Sequence, residues 1–166
     1  RGHQPHGYLA GAGVYLDATA LPSPSAEGEA KAMQMALQAA GITPEAVDTI
    51  NAHGTASGAG DVAELEAIEM VFGETAKTLS VQSTKGLLGH TLWAAGLVES
   101  IAVVAQMRGD FIHPNLNLED PMRTDIGFAG SEAVDCGPSI ALSNSFGFGG
   151  INTSIVIRKS RERNSP

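Results

Sequence analysis

Cysteine is nearly absent: Cys136 stands alone in 166 residues. One thiol excludes an internal disulfide framework, so a reducing compartment, the cytoplasm, is the expected setting. Positive charge is also scarce. Ten Lys and Arg face eighteen Asp and Glu, and a net charge of −8 argues against nucleic acid as a partner. No uninterrupted apolar run is long enough to span a membrane, and no signal peptide is visible. The chain opens on Arg1 rather than Met, which reads as a processed or cut terminus or as part of a longer polypeptide. What is present suits a folded domain: 43% hydrophobic and 17% charged residues. A chain of this length buries roughly 70% of its unfolded surface, and no disorder class fits.

The stretch 81–107 (VQSTKGLLGHTLWAAGLVESIAVVAQM) organises the rest. It starts as a short apolar strand, breaks at Lys85-Gly86 and passes through Gly89-His90. Leu92, Trp93, Leu97, Ile101, Val104 and Met107 then recur at helical spacing. Glu99 is the one charge between Thr91 and Met107, so the pattern predicts a helix buried on nearly every side. Lys85 and His90 would then occupy a loop at its N-terminus, where unpaired N–H groups favour a developing anion and a neutral imidazole. A buried Lys85 needs a counter-charge, and Glu99 is the predicted partner.

In chain order, residues 8–17 read as a strand whose Gly11 and Gly13 permit close packing. A turn-rich linker covers 18–26. A helix follows over 27–40 with Ala30, Met33, Leu37 and Ala40 on its face, closed by Gly41. The next strand, 47–52, runs directly into His53. Asp61 is a predicted N-cap for a helix to Val71. A strand at 79–82 precedes the central loop and helix, and 111–118 is extended. The last strands, 139–144 and 152–158, flank the loop 145–150. The order β-α-β-α-β-α-β-β predicts an α/β fold with a mainly parallel sheet covered by helices on both faces, the final hairpin adding antiparallel edge pairing. Functional loops of such sheets gather at the C-terminal strand ends, which brings His53, Lys85, His90 and the glycine-rich turn together.

The segments NAHGTASGAGD (51–61), STKGLLGHTLWAAG (83–96) and NSFGFGGIN (144–152) resemble the three C-terminal motifs of β-ketoacyl-acyl carrier protein synthases. The helix, turn and strand preceding His53 follow the same family's pattern. The resemblance implies one half of a thiolase-like domain (residues 1–158, with a basic tail over 159–166). That half would complete a five-layered αβαβα fold with an N-terminal half that carries the nucleophilic cysteine. It also implies that His53 and His90 serve as catalytic hydrogen-bond donors with Lys85 beside them. Phe148 would gate access to the nucleophile, Asn152 would hold its loop, and Thr55 and Ser57 would bond a phosphopantetheine arm. No cofactor of its own is implied; substrates arrive on the phosphopantetheine of acyl carrier protein. The implied partners are that carrier and the N-terminal half, in a dimer of such pairs. Ala56 and Ser57 depart slightly from the family pattern. Trp93 departs more, because members usually carry a small residue there.

Competing readings are weaker. A metal site has only His53 and His90 to draw on, without Cys or His-x-x-x-His spacing. Lys85 precedes the GLLG glycines and no Lys-Ser/Thr follows, so this is no phosphate loop. Cys136, between Asp135 and Gly137-Pro138, reads as an incidental thiol, and His3, His6 and His113 as structural. Arg158, Lys159, Arg161 and Arg163 read as a solvated, frayed end. The expected function is the catalytic C-terminal half of a ketosynthase; the alternative is a non-catalytic partner resembling chain-length subunits. Retention of both histidines with Lys85 favours the first.

Overall fold

A computed structural model describes residues 3–160 apart from Thr19 and Pro22. Arg161 and Arg163 of the expected basic tail therefore lie outside the described residues. Five strands form one sheet: β1 (Gly7–Leu16), β2 (Thr49–Asn51), β3 (Ser80–Gln82), β4 (Ile140–Gly147) and β5 (Ile151–Lys159). Their spatial order is β1-β5-β4-β2-β3. The helices are α1 (Ala26–Ala40), α2 (Gly58–Phe72), the single turn α3 (Lys85–Leu88) and α4 (Ala95–Gly109).

The element order matches the expected one, and its pairing corrects one detail. Only β2 runs parallel to its neighbours β3 and β4, each over three residue pairs. The long ladders, β1 with β5 and β4 with β5, are antiparallel. Antiparallel pairing therefore dominates and reaches the middle of the sheet. The reason is that β5 lies between β4, its hairpin mate, and β1, which lines the edge. The turn Phe148-Gly149-Gly150 uses φ of 79° and 74° at its glycines, values that a side chain would strain.

Residues alternate across the strands as a pleated sheet requires. On one face Leu142 and Val156 join Met33, Leu37, Ile68 and Phe72 of α1 and α2 in the main core. On the other, Ala141 and Ile157 meet Val103 and Met107 of α4 in a smaller cluster. Helix α1 lies very close to β1. A Cβ placed on Gly13 would stand 2.1 Å from the Ala32 carbonyl oxygen, and one on Gly11 2.4 Å from that of Ala36.

Three expectations at element ends need correction. Helix α2 starts at Gly58, with Ser57 before it, so Asp61 is inside the first turn. Its carboxylate is held by the backbone N–H groups of Thr55, Ala56 and Ser57. Helix α4 starts at Ala95 after a separate 3-10 turn, Leu92–Ala94, and is not buried all round. Trp93 is 104% exposed and Leu97 69%, and Leu92 and Ile101 are bare as well. At the C-terminal end, Arg158 and Lys159 belong to β5: Arg158 Nη2 donates to the Ala40 carbonyl and Lys159 Nζ to Asp110 Oδ1.

Candidate active site

The loops after β2, β3 and β4 open on the same end of the sheet, and their side chains meet. The rings of His53 and His90 lie 5.7 Å apart, edge to face, and Phe146 stands 6.0 Å from His53. Both histidines line a cavity of about 1330 Å³ together with Thr55, Ser57, Trp93 and Phe148. The two hydroxyls are 3.1 Å apart. Asn152 Nδ2 donates to Asp17 Oδ2 and to the Gly150 carbonyl, tying the glycine turn to the end of β1.

Lys85 begins α3 and is buried, and its Nζ donates to Glu99 Oε1 from α4; the two side chains are only 5% and 3% exposed. Asn51, the last residue of β2, closes this network. Its Nδ2 donates to Glu99 Oε2 and to Ser143 Oγ, and its Oδ1 accepts from the Thr84 N–H and hydroxyl.

Burial, then the nearby Lys85 and His90, push the His53 imidazole down to about 4, so it is neutral at physiological pH. His90 sits five residues before α4, not at that helix's N-terminus, which removes the expected helix-field effect. Another device acts on it. The Leu92 N–H donates to His90 Nδ1 at 3.0 Å. A backbone N–H can only donate, so Nδ1 is bare and the proton of a neutral ring belongs on Nε2. Leu92 holds the rare left-handed backbone, φ 53°, in making this bond.

Sequence reasoning missed Glu64. It is buried on α2 and accepts from the His53 N–H and Asn144 Nδ2 at Oε1 and from the Gly54 N–H at Oε2. It thereby fixes the backbone that carries His53. Burial raises its pKa, opposed by those donors and by Lys85. The available signal was a carboxylate set between Ala63 and Leu65 on the apolar side of α2. Asn51 and Asn144, polar residues at buried strand ends, also escaped notice.

Paired imidazoles thus stand near a buried ion pair at the strand ends of an α/β scaffold. Residues 6–119 match the family described as "Beta-ketoacyl synthase, C-terminal domain". The chain belongs to that family and forms its C-terminal domain, with a thiolase-like α/β fold. It is 42% identical to 3-oxoacyl-[acyl-carrier-protein] synthase 2 of Rhizobium meliloti (strain 1021), over 96% of this chain and 38% of that protein. It is 40% identical to the polyketide biosynthesis malonyl-ACP decarboxylase PksF of Bacillus subtilis (strain 168), over 95% of this chain and 37% of that protein. Among solved structures, a type II polyketide ketosynthase in complex with its acyl-carrier protein superposes with a TM-score of 0.87 at 32% identity. That match covers 93% of this chain and 38% of the other. The chain thus spans about two-fifths of the relatives it matches.

Proposed function

We propose that this domain supplies the decarboxylation site of a β-ketoacyl synthase, which condenses malonyl-carrier with an acyl thioester. The observation that carries the reading is the pair of imidazoles 5.7 Å apart on converging strand-end loops. When the malonyl C–C bond breaks, carbon dioxide leaves and the electron pair moves onto the thioester, placing negative charge on its oxygen. His53, kept neutral, and His90, protonated on Nε2, each present one N–H to that oxygen. Donors fixed in advance lower such a barrier by ~2.7–4 kcal/mol each. Lys85, held by Glu99, adds a fixed positive charge that also keeps His53 neutral. The resulting carbanion attacks an acyl thioester on a cysteine of an N-terminal half; the new C–C bond forms as the C–S bond breaks and the cysteine leaves as a thiolate. Cys136 is exposed, far in sequence from either histidine, and has no part in this scheme.

The carrier's phosphopantetheine arm passes Thr55 and Ser57, with Phe148 at the entrance and Asn152 steadying the turn beneath it. This is supported by the cavity those side chains line and by the carrier complex of a similar ketosynthase. The bare ridge Leu92, Trp93, Leu97 and Ile101 is where we place the N-terminal half, since soluble monomers rarely leave such a patch open. The assembly is a dimer of such pairs. In the reconstituted synthase, His53→Ala and His90→Ala are each expected to slow malonyl-carrier decarboxylation by roughly 10²–10³-fold. A parent rate in either variant removes that histidine from the mechanism. Product formation by the isolated domain, or its acylation at Cys136, would overturn the division of labour.

A further inference from the structure

Glu29 takes no part in the chemistry above, yet it is a buried carboxyl with an unpartnered oxygen. It lies in the first turn of α1, is 2% exposed, and borders the same cavity as the histidines. Its Oε2 has no hydrogen-bond partner among the described residues. The charges of two carboxyl groups reach it: Glu64, from α2, and Asp17, from the segment after β1. Lys85 is the cation whose charge reaches Glu64. Asp61 borders the cavity too, engaged by the N–H groups of residues 55–57. At this end of α1, β4 and β5 bring neutral groups: Asn144 donates to Met33, and Asn152 lies against Gly28; Arg158 of β5 reaches the helix only at its far end, at the Ala40 carbonyl.

The two glutamates differ in the donors that surround them. Both oxygens of Glu64 accept from N–H donors, three in all. A negative charge on Glu64 is met by these three donors, which oppose the effect of its burial, so the donor set favours Glu64 over Glu29 as the ionised member. Glu29 has no such donors, and a second buried anion beside the first is disfavoured by like charge and by burial.

We propose that Glu29 is a positioning residue: it carries the proton of the Glu29–Glu64 pair, and by staying neutral lets Glu64 remain ionised and hold the His53 loop in place. The proposal rests on the decarboxylation site described above only for its kinetic readout. Burial first, then Glu64 and Asp17, raise the Glu29 carboxyl to about 9. The folded state thus keeps a proton that the unfolded chain gives up above its ordinary value of 4.5. Stability from this group is full at acid pH and is lost as pH climbs through about 9. Ionising Glu29 adds a second anion against Glu64 and loosens the loop.

The test compares the complete synthase with its Glu29→Gln variant, which keeps length and neutrality but cannot ionise. Denaturant midpoints and malonyl-carrier decarboxylation are followed from mildly acid to alkaline pH. The parent is expected to lose both stability and rate toward alkaline pH, while Glu29→Gln holds both. A merely space-filling Glu29 would give superimposable profiles, and that result overturns the proposal. Should the variant fail to assemble, carboxyl-labelled glutamate NMR of the parent decides: one glutamate titrating well above neutrality supports the role, none refutes it. If the parent shows no decarboxylation at all, the function is wrong, and the stability profile and NMR still judge Glu29.

Discussion

Removing Glu99 tests whether the buried ion pair shapes the domain. Glu99→Ala takes away the acceptor of Lys85 Nζ and one of the two acceptors of Asn51 Nδ2. With side chains only 5% and 3% exposed, no water replaces the lost carboxylate, and an ammonium is left in a dry interior. Breaking a buried pair from one side costs ~3–5 kcal/mol. For a domain of this size each kcal/mol moves Tm by about 2–4 °C, so a drop of roughly 6–20 °C is expected. Lys85→Met should lose a similar amount by stranding Glu99 instead. The double variant Lys85→Met, Glu99→Leu removes both charges and fills the space, so it should melt above either single variant. Because Lys85 helps hold the His53 pKa down, His53 should also titrate closer to its ordinary value in that double variant. Calorimetry of the assembled protein gives the melting points and NMR the titration. Additive losses in the double variant, or an unchanged melting point for Glu99→Ala, would refute the reasoning.

Two further outcomes follow from the packing. The folded-state pKa of His53 is about 4 against 6.5 when unfolded. The unfolded chain alone binds the proton between those values, so stability should fall by up to about 3 kcal/mol on acidification across that window. His53→Gln should flatten this acid limb in denaturant titrations, and an unaltered limb would mean another group sets it. Gly13→Ala should lower the denaturant midpoint by the equivalent of ~1–3 kcal/mol or more, because its Cβ would meet a backbone oxygen that cannot rotate away.

The long helices were legible because their signals are local: Ala30, Met33 and Leu37 repeat on one face of α1, and Gly41 ends it. His53, Lys85 and His90 were legible because motif and strand-end position agreed. The Lys85–Glu99 contact followed from a lone charge in an apolar segment, and the structure joins the two. Strand pairing was less legible. Nothing in the alternation of β1 says that its neighbour will be β5, since that choice depends on contacts far apart in sequence. The surroundings of α4 were misjudged because apolar spacing shows which residues avoid water, not what shields them; Val103 and Met107 are covered by the sheet, whereas Leu97 and Ile101 are bare. Glu29 and Glu64 stayed hidden because a carboxylate on a helix usually faces solvent, and only the fold shows these two turned inward.

The pairing of β1 with β5 also sets a timetable. Leu16 bonds alongside Ile151 and Gly7 alongside Lys159, so the edge strand waits for nearly the whole chain to be made. At ~5–20 residues per second, translation of the intervening segment takes roughly 7–27 s. During that interval β1 has no strand beside it. Helix α1 (Ala26–Ala40) is the next element made and can dock on Gly11 and Gly13 long before β5 appears, shielding one face of β1. Its ladder edge stays open until β5 emerges, and an open edge invites pairing with other chains. Truncation anywhere before Ile151 would make that exposure permanent. A shortened chain should therefore be caught by chaperones or aggregate through β1, even with both histidines and the ion pair intact.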